Sequence, residues 1–166
     1  MNAVRKLAVV GALALALSAC SPEVDGITGL TRDSQGRLVG LGQACNGKLL
    51  GATLIQDANT PRSKHVGAWG MDAPAKQMTW ALQEPSPTPG WSTWQPAPQA
   101  LVADHAYTLV AWRELNVTNA APLDFTVTDL DALEEGRVLI NEPDAAGETY
   151  RVAVVSAEEF TRRACE

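Results

Sequence analysis

The stretch RLVGLGQACNGKLLGATLIQ, residues 37–56, carries the first information about the fold. Two short apolar runs, RLVGLGQAC (Arg37 to Cys45) and LLGATLIQ (Leu49 to Gln56), flank the turn formers Asn46-Gly47. Runs of this length, with β-branched residues and partly alternating polarity, read as strands. Asn-Gly suits a two-residue hairpin turn, in which both central residues take positive φ. The expectation is therefore a β-hairpin.

The same pattern recurs on both sides. QMTWALQ (Gln77 to Gln83), AYTLVAWREL (Ala106 to Leu115), LDFTVTD, RVLIN and YRVAVV are strand-like, and Asp33-Ser34-Gln35-Gly36 and Asp144-Ala145-Ala146-Gly147 are turn formers between such runs. Short, closely spaced strands without regular intervening helices predict a mainly β fold, an antiparallel β-sandwich. Two segments depart from it. TDLDALEEG (Thr128 to Gly136) reads as one or two helical turns, capped by Thr128 or Asp129 and ended by Gly136. SAEEFTRRACE (Ser156 to Glu166) predicts a short C-terminal α-helix, with Ser156 as N-cap, Glu159 completing a capping box, and Arg162 and Arg163 near the negative end of the helix dipole. From Glu84 to Ala100 the prolines at 85, 87, 89, 96 and 98 remove backbone donors, so this segment is expected to be a long connection and not a central strand.

The N-terminus has a different character. Arg5 and Lys6 precede an uncharged run from Leu7 to Ala19, the plan of a secretory signal. As a helix that run would measure roughly 20 Å, short of a hydrocarbon layer of about 30 Å. It ends in Leu17-Ser18-Ala19-Cys20, which resembles the lipobox of bacterial lipoproteins at all four positions. The resemblance implies that the Cys20 thiol receives a diacylglyceryl group, that a signal peptidase cuts before Cys20, and that the new amino group is open to acylation. Two or more acyl chains, such as palmitate, hold a protein stably to a bilayer where one does not. Ser21 follows where an Asp would favour inner-membrane retention, so outer-membrane sorting stays open in a cell with two membranes. The expected organisation is a signal peptide over residues 1–19, a lipidated tether over 20–26 and a single β-sandwich domain over 27–166, on the extracytoplasmic face of the membrane.

The chain has 13 basic and 19 acidic residues, and loss of Arg5 and Lys6 with the leader leaves the remainder more acidic still. That balance argues against nucleic acid, which rewards basic patches. Of the three cysteines, Cys45 and Cys165 remain beside Cys20. In an exported chain with no CxxC spacing and no His beside either one, a disulfide is the natural reading. The segments GITGLTRDSQGRLVGLGQAC and FTVTDLDALEEGRV are similar to those of small uncharacterised surface lipoproteins of high-GC Gram-positive bacteria, a group that carries no activity to transfer.

Catalytic signatures are sparse. GxSxG, SxxK and HExxH do not occur, and the glycine-bearing runs precede no helix that could hold a phosphate. His65 and His105 read as solvated loop residues. Asp129-x-Asp131-x-x-Glu134-Glu135 lacks the third ligand and the glycine of a calcium loop and reads as a solvated helical face. No catalytic residue, metal or cofactor is assigned. Tryptophan is the unusual residue: there are five, against two Tyr and two Phe. Trp80 and Trp112, inside strand-like runs, are expected in the core, and Trp69, between glycines, is compatible with core or surface. Trp91 and Trp94 form the candidate binding surface, as exposed aromatics for a sugar, a peptide or a partner protein; the competing reading folds both rings onto one end of the core. The expected function is a non-catalytic binding or interaction module of the cell envelope, with the membrane and a cell-wall or envelope-protein component as partners. The alternative is a hydrolase using scattered carboxylates such as Asp72, Asp104 or Glu114. A purely structural role is the third reading.

Overall fold

A computed structural model describes residues 24–83, 89–114, 118–144 and 149–166, with residues 114, 118 and 119 described by their backbone only. The leader, the lipobox and Cys20 lie outside the described residues. Among the described residues, eleven strands form two antiparallel sheets packed face to face, as the strand pattern predicts. One sheet runs β5 (Gln77–Ala81), β2 (Leu38–Gln43), β1 (Val24–Arg32), β10 (Arg137–Pro143), β11 (Tyr150–Ser156). The other runs β6 (Trp91–Gln95), β4 (Lys64–Ala75), β3 (Leu49–Gln56), β7 (Tyr107–Glu114), and β8 (Thr118–Ala121) and β9 (Leu123–Phe125) both pair with β7. A parallel pairing of β1 with β8 joins the sheets. Across the interior, Thr28 Oγ1 on β1 accepts a hydrogen bond from the Ala111 amide of β7 at 3.0 Å.

The core between the sheets holds Leu30, Leu49, Leu54, Leu109, Leu123 and Leu139, with Trp69, Trp80 and Trp91. A second cluster covers the outside of the first sheet, where Phe160 of the C-terminal helix α1 (Ala157–Arg163) packs on Ile27, Val138, Ile140 and Val155. The middle of β10 is thus buried on both faces, so Val138, Leu139 and Ile140 are consecutive and apolar, without the alternation of a half-exposed strand. Ser156 caps α1 as expected, accepting from the Glu159 amide at 3.1 Å. The Glu159 carboxylate, however, binds Arg163.

Several expectations are corrected. Asn46-Gly47 makes no hairpin: β2 pairs with β1 and β5, whereas β3 pairs with β4 and β7. The segment crosses from one sheet to the other. Gly47 alone has positive φ, the Arg113 guanidinium occupies the space a side chain would need there, and the Asn46 amide donates to buried Asp25. A hairpin does join β1 to β2, where Asp33 Oδ1 accepts from the Gln35 and Arg37 amides. The proline-rich segment contributes edge strand β6, between its two groups of prolines, and residues 84–88 lie outside the described residues. The strand β1 begins at Val24, so residues 24–26, expected in the tether, belong to the domain. The turn after Thr126 is a 3-10 helix, Thr128–Ala132, and its N-cap residue Val127 makes no side-chain bond. Asp129 instead accepts from Thr126 N and Oγ1 at 2.7 Å each.

The expected disulfide Cys45–Cys165 is present, with Cα atoms 4.8 Å apart. It ties the end of α1 to the crossing between the sheets.

Candidate functional site

In an extended strand, positions an odd number apart point to opposite faces. Trp91 and Trp94 of β6 are three apart and separate accordingly. Trp91 is 7% exposed and packs in the core against Trp80, ring centroids 5.5 Å apart. Trp94 is 59% exposed, on the outer face of the second sheet. The pair therefore divides: Trp91 satisfies the core reading and Trp94 the surface reading. The alternation along β7 likewise puts Leu109 and Ala111 into the core and Trp112 on the outer face, so Trp112 is buried, but outside the space between the sheets where its strand-like run predicts it. Trp69 is 4% exposed in the core, 6.1 Å from Trp80.

Trp94 and Trp112 meet on the outer face with centroids 5.6 Å apart and planes tilted by 32°. Two glycines make room for them. A Cβ at Gly51 would sit 2.4 Å from Trp112 Cζ2, and one at Gly70 would sit 2.5 Å from Trp94 Cζ2. Gly51 pairs with both Trp112 and Gly70, so the indoles lie over adjacent strands. Trp112 Nε1 donates to Thr53 Oγ1 at 3.1 Å, which fixes the lower ring. Polar groups rim the patch: Ser92 Oγ donates to Asp72 Oδ1 at 3.3 Å, and Gln95 Nε2 donates to the His65 carbonyl at 2.7 Å. The result is a rigid aromatic surface with one indole presented to the outside, suited to stacking or interfacial contact.

A cleft of about 770 Å³ opens where β1 begins, β10 ends and α1 ends, lined by Val24, Asp25, Glu142, Tyr150, Arg162 and Glu166 among others. Its charges are mutually paired. Asp25, 9% exposed, accepts from Arg113 Nη1 at 2.7 Å and from the Asn46 amide at 2.9 Å. Glu142 accepts from Arg163 at 2.8 Å and Arg151 at 2.9 Å, and Arg162 pairs with Glu166. The hydrogen bond from Arg163 first, then that from Arg151, holds the Glu142 carboxyl below the usual carboxylate range. Glu142 is thus ionised at neutral pH, the opposite of what a general acid requires.

Asp72 and Asp104 do not come together. Asp72 lies near the Gly51 end of β3 and Asp104 precedes β7 near the Gln56 end, as Gly51 pairs with Gly70 and Gln56 with Tyr107. Five residues of strand separate those ends, about 17 Å. The side chain of Glu114 lies outside the described residues. Among the described residues, no group of three His, Cys, Asp or Glu could hold a metal ion. His65 is exposed, and Asp129 is occupied by Thr126.

His105 has a partner that local sequence does not reveal. Its Nδ1 lies 2.8 Å from Oδ2 of Asp57, which is 7% exposed and sits at φ 51° just after β3. Burial works to raise the Asp57 pKa, but the His105 hydrogen bond and charge, with bonds from Gln56 and the Ala106 amide, outweigh it and leave the value lowered. The unfolded chain therefore binds more protons in acid than the folded one. The stabilisation from Asp57 is fully present above about pH 4 and is lost as pH falls through the folded value. Asn is the informative replacement, because it tolerates positive φ and keeps the side-chain shape. Asp57→Asn is expected to lower stability modestly at pH 7 and to make its decline below pH 4 shallower, as measured by urea unfolding across pH. Asp33 and Glu142, also lowered, keep part of the acid slope.

The chain matches no protein-family model, no curated protein and no solved structure.

Proposed function

We propose that the protein is an extracytoplasmic lipoprotein, held to a membrane through acyl chains on Cys20, whose β-sandwich is a non-catalytic binding module of the cell envelope. The observation that carries the binding role is Trp94: a 59%-exposed indole, backed by Trp112 and seated over Gly70. Trp94 packs on Trp112 yet leaves more than half of its surface open, far more than covering a neighbour requires. The anchor is supported by the basic and apolar leader and by the lipobox resemblance at Cys20. The Cys45–Cys165 disulfide suits the oxidising side of a membrane.

Fractionation of cells tests the anchor. The wild-type chain is expected in the membrane fraction with a lipid-sized mass increment on Cys20, and Cys20→Ser in the soluble fraction without that increment. Membrane retention of the variant would overturn the anchor.

A second reading, an envelope hydrolase, has one observation in its favour: Asp25, Glu142 and Glu166 line the same cleft. Each is already paired with an arginine, so the cleft reads better as a structural ion-pair network. Turnover of an envelope substrate that Asp25→Asn abolishes, in a variant that stays folded, would favour the hydrolase.

A further inference from the structure

We propose that the end of the sandwich carrying Val24 rests on the lipid bilayer, with Trp94, Tyr150 and Val24 in the headgroup layer. This names the partner of the exposed indole, and it rests on the anchor reading above.

Backbone pairing links Val24 to the seat of the exposed indole at Gly70. Val24 pairs with Asn119, Asn119 with Trp112, Trp112 with Gly51, Gly51 with Gly70, and Gly70 with Ser92. That line crosses the second sheet from β1 to β6, and Trp94 reaches back over Gly70 to Trp112. Tyr150, the first residue of β11, shares the cleft with Val24 and Asp25. Among the described residues, the large apolar side chains left exposed are Val24 at 61%, Trp94 at 59%, Val102 at 53% and Tyr150 at 69%. Three of these four lie at the Val24 end. Val102 lies at the other: its amide donates to the Tyr107 hydroxyl, and Tyr107 pairs with Gln56.

Exposed apolar groups gathered at one end point to a partner there, and their chemistry indicates which. Trp and Tyr have an apolar body and a polar tip, the combination enriched where a bilayer meets water. The chain from Cys20 to Val24 spans at most about 14 Å even when fully extended. A protein lipidated at Cys20 therefore keeps the Val24 end close to the bilayer, and tethering raises the local concentration enough for a few weak contacts to be occupied. The exposed arginines nearby, Arg151 and Arg162, are already paired with Glu142 and Glu166.

The test uses the lipidated protein extracted from membranes, reconstituted in phosphatidylcholine vesicles with and without bromine on the upper acyl chains, where bromine quenches nearby indoles. The other tryptophans are at most 7% exposed, so the quenched component should be the share of emission that Trp94→Phe removes. In the Trp94→Phe background, a new indole from Tyr150→Trp should be quenched and one from Val102→Trp should not; both positions are exposed, so folding is preserved. Cys20→Ser should show no quenching at all. Equal emission in both vesicles, from protein whose mass shows the lipid, would overturn the orientation and leave the anchor standing. Quenching of Val102→Trp as strong as that of Tyr150→Trp would overturn it too, as would Trp94 shielded by purified cell wall and not by vesicles. A mass without lipid would overturn the anchor and this inference together.

Discussion

Alanine at both Cys45 and Cys165 is expected to lower the unfolding free energy by about 5 kcal/mol, the chain-entropy value for a loop as long as the 120 residues that separate them. The folded state should change little. Phe160 and Ala164 keep α1 buried against the first sheet, and Arg163 stays bonded to Glu142. The loss acts on the unfolded chain, which the bridge otherwise closes into a loop holding nearly the whole domain. Urea unfolding distinguishes the two origins. The midpoint should fall and the slope rise, because an uncrosslinked unfolded chain exposes more surface. A loss of under about 1 kcal/mol with an unchanged slope would mean that the bridge constrains little, and that the core alone sets stability.

Trp80→Ala should cost about 3–5 kcal/mol, the range for removing a buried aromatic ring. Trp80 is 1% exposed, with Trp69 and Trp91 of the opposite sheet against it. On its own sheet it pairs with Gly40, where a Cβ would stand 2.3 Å from the ring. No neighbour can move in to fill the space cheaply. Trp80→Phe should cost far less than alanine, for a reason beyond size. The buried Trp80 Nε1 has no hydrogen-bond partner among the described residues, and a buried unsatisfied donor costs about 1–3 kcal/mol. Phenylalanine removes that donor and so offsets part of the lost volume. Circular dichroism during urea unfolding compares the three proteins without relying on indole emission. A phenylalanine variant as unstable as alanine would mean that Nε1 gains from an aromatic face nearby, an N–H to π contact.

Strands whose periodicity is clean are legible in the sequence: β2, β3, β5, β7 and β9 fall within the runs that read as strands, and β10 and β11 begin with theirs and overrun them by two residues and by one. Ser156 is readable as a cap because capping is local, decided within four residues. The longest strand, β4, is not readable. It carries Gly67, Gly70 and Pro74, which weaken a strand signal, and it tolerates them through register shifts against β3 and the seats needed by the indoles. The edge strand β6 is hidden by its flanking prolines, which an edge accepts because one side of it donates to no neighbour. The division of Trp91 from Trp94 is implicit in their spacing, but only for a segment that is extended. Trp112 and Tyr150 carry no signal of their own, since nothing local distinguishes an indole in the core from one beneath a second indole.

Composition, turn residues and cysteine count are enough for an antiparallel sandwich closed by a helix and a Cys45–Cys165 bridge, because short alternating strands and two thiols outside the leader in a chain that reads as exported permit few other solutions. The choice of partner for each strand belongs to the tertiary structure. Every strand edge offers the same row of donors and acceptors, so Leu49–Gln56 could have bonded to Leu38–Gln43 across Asn46-Gly47 as readily as to Lys64–Ala75. Burial makes the decision. Asp25 and Arg113 hold the crossing in place, the leucines of both sheets need facing surfaces, and only that arrangement puts Trp80 between Trp69 and Trp91 while leaving Trp94 outside.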